Sequence, residues 1–167
     1  MRKLLVATGL VAVLAAPAAL HAQSANMTVS ADVQTALSVN AQNNLNFGAV
    51  VPGQTKTILP TDAASGFFLV DGAATTPVNV SFTLPATLTR QGGAETMPIT
   101  FGATSASRSA ANPPVRAGST LFNPNTPITT PTNAVGQLGV FIGGAVTAAA
   151  NQVAGTYNGQ ITINVAY

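Results

Sequence analysis

After residue 22, the side chains able to act as acid, base or nucleophile are few: Asp32, Asp62, Asp71, Glu95, Lys56, Tyr157 and Tyr167. The sole histidine, His21, lies before them, and cysteine is absent. Histidine and thiolate are the groups most readily poised near neutral pH, so a catalyst built from this set would depend on carboxylates alone. The four carboxylates lack the dense spacing of a calcium loop, and imidazole and thiolate ligands for a transition metal are missing. Gly92-Gly93 and Gly143-Gly144 are followed by neither the Lys-Ser nor the helix start of a phosphate loop, and read as turns or bulges. Serine and threonine are plentiful, but without an adjacent base they are weak nucleophiles. The expectation is a protein that is not an enzyme and holds no cofactor and no metal.

The first 22 residues, MRKLLVATGLVAVLAAPAALHA, carry Arg2 and Lys3, then an apolar stretch from Leu4 to about Ala16, then small residues up to Ala22. This is the pattern of a secretory signal peptide, with cleavage expected after Ala22. The apolar stretch is shorter than the roughly 20 residues of a membrane-spanning helix, so no membrane insertion is expected after cleavage. The chain beyond Ala22 has Lys56, Arg90, Arg108 and Arg116 against the same four carboxylates, a formal charge of zero. Nucleic acid and anionic membranes demand clustered Lys and Arg, so neither is an expected partner. About 145 residues suffice for one domain with a real core, held without disulfides.

The elements that must carry any function read as strands. Alternation of apolar with polar residues runs through Met27–Val33, Val78–Leu84 and Ile161–Tyr167, each predicted as a strand with one face in a core. Further strands are expected at 36–39, 45–51, 55–59, 67–70, 97–101, 119–122 and 138–142. Pro and Gly recur too often for helices to propagate, and turn residues fall at Pro52-Gly53, Asp71-Gly72, Gly92-Gly93, Gly143-Gly144 and Asn158-Gly159. An all-β antiparallel sandwich or barrel is the fold class this implies. From Ala103 to about Val135, Ser, Ala, Asn, Thr and Pro dominate. That stretch is expected to be a long, weakly structured connection with one short strand, either a surface insertion or an interaction loop.

Three motifs carry a resemblance: Leu45-Asn46-Phe47-Gly48, the run FFLVDG from Phe67 to Gly72, and a carboxy-terminal block with Gly155, Tyr157 and Gly159 that ends at Tyr167. Together they resemble a family of secreted, pilin-like β-domains related to chaperone-usher fimbrial subunits and spore coat U-like proteins. The resemblance implies an immunoglobulin-like β-sandwich, incomplete and completed by donor-strand exchange. A periplasmic chaperone fills the open groove first and the amino-terminal extension of the next subunit fills it later, assembly taking place at an outer-membrane usher. The final strand pairs with the chaperone, which also holds the terminal carboxylate.

On that pattern, residues 23–44 form an extension whose Met27, Val29, Ala31 and Val33 are the donor residues. Residues 45–167 form the domain, with Ile161, Ile163, Val165 and Tyr167 on the strand bordering the groove. Burying each Met or Val side chain contributes roughly 1.5 to 3 kcal/mol before ordering costs. The expected function is a structural pilus subunit for adhesion or biofilm formation, found in the periplasm in transit and then in surface fimbriae, with other copies of itself as partners. The same alternation is equally compatible with a strand that folds into its own domain, giving a self-complemented secreted module that binds a glycan or protein.

Overall fold

The computed structural model describes residues 23–33 and 35–167. It divides into two units, one ending at Asp32 and one spanning Val33–Tyr167. The signal peptide expected over residues 1–22 lies outside the described residues.

In the first unit, residues 23–32 form no regular secondary structure and are exposed. The strand expected over Met27–Val33 is therefore not formed. Alternation marks a segment able to bury one face, but a strand exists only when a neighbour supplies the ladder.

The second unit is all β, with 13 strands: β1 (Ser38–Asn43), β2 (Thr55–Ile58), β3 (Gly66–Asp71), β4 (Pro77–Thr83), β5 (Thr87–Arg90), β6 (Thr96–Thr100), β7 (Ala106–Ser109), β8 (Thr120–Phe122), β9 (Ile128–Pro131), β10 (Gln137–Ile142), β11 (Gly144–Thr147), β12 (Tyr157–Asn158) and β13 (Thr162–Ala166). Every pairing is antiparallel. One sheet runs β1-β3-β10-β7-β8, a second β12-β5-β6-β11-β2, and a third β13-β4-β9. The second and third are joined by continuous chain, because β4 leads into β5 and β12 into β13, each across three residues outside the strands. Pro85 sits in the first of these breaks, where its missing N–H stops the ladder. The result is a sandwich of one sheet against a bent, two-part layer.

Alternation explains which residues meet inside. Val78 and Val80 of β4 are fully buried against Val70, Leu138 and Val140, with Phe68, Phe82, Ile163 and Val165 packed around them. A second cluster, Met97, Ile99, Val146 and Ala148, is joined by Phe47, Leu88 and Tyr157. The chain crosses from the first sheet to the second between β10 and β11 at a single residue, Gly143. A Cβ there would collide with the Ile58 carbonyl oxygen and lie 2.8 Å from the Leu59 carbonyl carbon.

Two expectations are corrected. The sheet begins at β1, which pairs with β3 from Ser38 opposite Asp71, so the domain starts before Leu45. The stretch from Ala103 to Val135 is ordered and contains β7, β8 and β9. Its polar residues are used internally: the Ser119 hydroxyl bonds that of Ser107 at 2.9 Å, and Arg108 donates to Thr130 Oγ1. Arg116 from this stretch lies over the stacked rings of Phe67 and Phe141, 5.0 Å from the centroid of Phe141. Its Nε donates to Ser65 Oγ at 3.0 Å, so the segment covers the outer face of the first sheet.

Candidate functional site

The strand at one margin of each layer has a free side. β1 is an edge of the first sheet, and β12 and β13 are edges of the second and third. Between the chain continuing from β1 and the chain running from Val153 into β13 lies an open groove of about 960 Å³. Its apolar wall is made by Leu45, Phe47, Phe68, Leu88, Met97, Ile99, Tyr157 and Ile161, among others. Leu45, Phe47, Phe68, Leu88, Tyr157 and Ile161 are only half-buried. Large apolar side chains from both layers therefore converge on a space that none of the described residues of this unit fills, and exposed apolar patches of this kind mark interaction surfaces.

The expected strand over 45–51 is absent, yet its motif builds one rim. Gly48 adopts φ +61°, a left-handed conformation that breaks a strand, and its N–H is held by Asn46 Oδ1 at 2.8 Å. Lys56 Nζ donates to the Ala49 carbonyl at 3.1 Å. Leu45 and Phe47 point into the groove, and Phe47 also packs on the second core cluster.

The opposite rim carries the carboxy-terminal motif. Tyr157 packs on the second cluster, and its hydroxyl donates to the Val153 carbonyl at 2.7 Å while accepting from Gln152 Nε2 at 2.6 Å. Gly155 has φ +152° and lies against the stem of Arg90, and Gly159 lies against Leu88. Arg90 is paired with Glu95, Nε to Oε2 at 2.7 Å. That hydrogen bond holds the Glu95 carboxyl below its ordinary range and raises the guanidinium. The pair ties the β5–β6 hairpin that supports this rim.

The expected edge residues divide. Ile161 lines the groove just before β13, Ile163 and Val165 lie on β13 against the first core cluster, and Tyr167 lies beyond the end of β13. The Tyr167 hydroxyl accepts the Ala73 N–H at 2.7 Å and donates to the Thr35 carbonyl at 2.7 Å. Thus the last residue links the chain just before β1 to the turn after β3. The expected donor residues are fully accessible: Met27 and Val29 are 88% exposed and Val33 is 97% exposed, and Ala31 is exposed as well.

Sequence reasoning missed Phe68, Leu88, Met97, Ile99 and Val146 as groove residues. Leu88 sits in the alternating Thr87-Leu-Thr-Arg90, a short strand signal that was there to be read. Phe68, Met97 and Ile99 occupy expected strands, Val146 lies on β11 just after the Gly143-Gly144 turn, and only the topology reveals that they border an opening. Among the described residues, no three His, Cys, Asp or Glu side chains are gathered where they could hold a metal ion. Asp62 caps a turn by accepting the Leu59 N–H at 2.8 Å, and Asp71 accepts from Gln137 Nε2 at 3.1 Å.

Comparison with known proteins finds a match between residues 37–167 and the model of a family described as a domain of unknown function (DUF4402). No curated protein matches the chain.

Proposed function

The chain belongs to that family, and we propose that it is a non-enzymatic structural subunit which polymerises into a surface fimbria by lending a β-strand to the next copy. One observation carries the reading: a groove about 960 Å³ in volume with an apolar wall, open between two unpaired strand margins, in a chain that also holds an accessible alternating segment. The occupant is residues 24–34 of a second copy. Met27, Val29, Ala31 and Val33 would enter the apolar wall while their backbone pairs with the free edges. Strand addition of this kind supplies the ladder that the segment lacks and covers edges that otherwise invite aggregation.

The sequence supports the rest of the proposal. An amino-terminal signal peptide would send the chain to the periplasm, where a chaperone strand keeps the groove filled until an outer-membrane usher exchanges it for the donor. The resulting fibre would serve adhesion or biofilm formation. Removing residues 24–34 is expected to leave a folded body that binds a synthetic peptide of the same eleven residues but forms no polymers. Normal polymers from the shortened chain would refute the proposal.

A further inference from the structure

The strand-exchange reading leaves one question that the geometry addresses: what keeps residues 27–33 from folding into the groove of their own chain? Only Gln34 separates Val33 from Thr35, where the second unit is already fixed. A returning strand would have to reverse within residues 34–37 and run back along the free edge of β1, toward the rim built by Leu45 and Phe47. Its point of entry would be the gap between the start of β1 and the end of β13.

That gap is bridged by Tyr167. Neighbouring strands lie about 4.8 Å apart, so a space one strand wide separates its flanking strands by about 9.6 Å, a span that an extended tyrosine and one hydrogen bond can cover. The hydroxyl accepts from Ala73 N–H and donates to the Thr35 carbonyl, both at 2.7 Å. Leu37 anchors the same corner by packing on the first core cluster. Gly72 makes room for both side chains: a Cβ there would lie 2.7 Å from the Tyr167 hydroxyl and 2.7 Å from Leu37 Cδ1. The lining of the groove, by contrast, runs from Ala41 and Ile161 toward Leu45, Phe47 and Tyr157 and includes no residue of the Tyr167 corner.

We infer that Tyr167 is a positioning residue that closes the Thr35 end of the gap, so that the groove accepts a strand from another copy in preference to its own. The inference rests on the strand-exchange reading above. A strand from outside enters by the open end, whereas a strand of the same chain has to begin at the closed one. The carboxy-terminal residue thus selects between a fibre and a self-complemented monomer.

The test compares the full secreted chain with Tyr167→Phe, which keeps the ring and removes the hydroxyl, and with Gly72→Ala, which displaces the hydroxyl from the opposite side. Each protein is refolded at equal concentration, its monomer and polymer fractions are measured, and amide exchange is followed at Ala73 and in β4. Loss of the hydroxyl should speed Ala73 exchange by up to about tenfold, the usual net worth of one hydrogen bond, without changing β4. Both variants should also raise the monomer fraction several-fold over the natural sequence. An unchanged Ala73 rate, or a faster rate with the same partition between monomer and polymer, would overturn the inference and leave strand exchange standing. A natural sequence that never polymerises would remove strand exchange itself, and the inference with it.

Discussion

Gly143 is the residue on which the two layers turn. Its chain neighbours belong to different sheets, and the backbone of Ile58 and Leu59 presses against the position where a side chain would begin. Backbone cannot rotate away as a side chain can, so Gly143→Ala is expected to cost about 1 to 3 kcal/mol, the usual range for overpacking. Chemical denaturation would read this as a lower midpoint with an unchanged slope. From sequence, Gly143-Gly144 is legible as a turn or bulge, but its role in moving the chain between sheets is not, because the Ile58 backbone it touches lies 85 residues earlier. The same holds for Tyr167, whose partners Thr35 and Ala73 are remote in sequence. By contrast, Leu45, Phe47 and Tyr157 are singled out from sequence, through the motifs that carry the pilin-like resemblance.

At the scale of elements, the longer alternating segments are the legible ones. β4 and β13 fall inside Val78–Leu84 and Ile161–Tyr167 almost completely, because period-two alternation over six or seven residues fits a half-buried strand and little else. The strands β5, β7, β9, β11 and β12 escape sequence reasoning. They are two to four residues long, β5, β7, β9 and β11 each carry Thr, Ser or Gly, and the buried Ser107 of β7 and Thr130 of β9 find partners that only the folded chain supplies. Met27–Val33 fails in the opposite direction, with clear alternation and no ladder.

If the donor comes from a second copy, the geometry at Tyr167 also fixes its direction. The neighbour's folded body follows Val33 almost at once, so Val33 must stay at the open end and Met27 must point toward Tyr167. The donor then runs antiparallel to β13. The natural chain has no cysteine, which makes cross-linking unambiguous. Met27→Cys with Val165→Cys, and Ala31→Cys with Ile161→Cys, should form disulfides between subunits under mild oxidation. The exchanged pairings, 27 with 161 and 31 with 165, should not. Efficient linkage in the exchanged pairs would reverse the direction argued here.

For the whole molecule, the central feature is a sandwich whose two layers each end in an unpaired strand margin beside the same groove. That the protein is all β and antiparallel can be read from alternation, turn residues and the scarcity of helix-compatible stretches. The opening cannot, since a strand that fills its own groove and one that fills a neighbour's have the same sequence pattern. Met27, Val29 and Val33 are exposed in the single chain, and on the proposed reading they are the side chains that a second copy would bury.

The most direct measurement compares purified residues 23–167 with a permuted chain in which residues 24–34 follow Tyr167 on a short flexible linker, by size-exclusion chromatography and thermal unfolding. Filling the groove in cis should give a permuted chain that is monomeric and unfolds at a clearly higher temperature, while the native-order chain is polymeric or unstable. A native-order chain that is already a stable monomer, and gains nothing from permutation, would contradict the account.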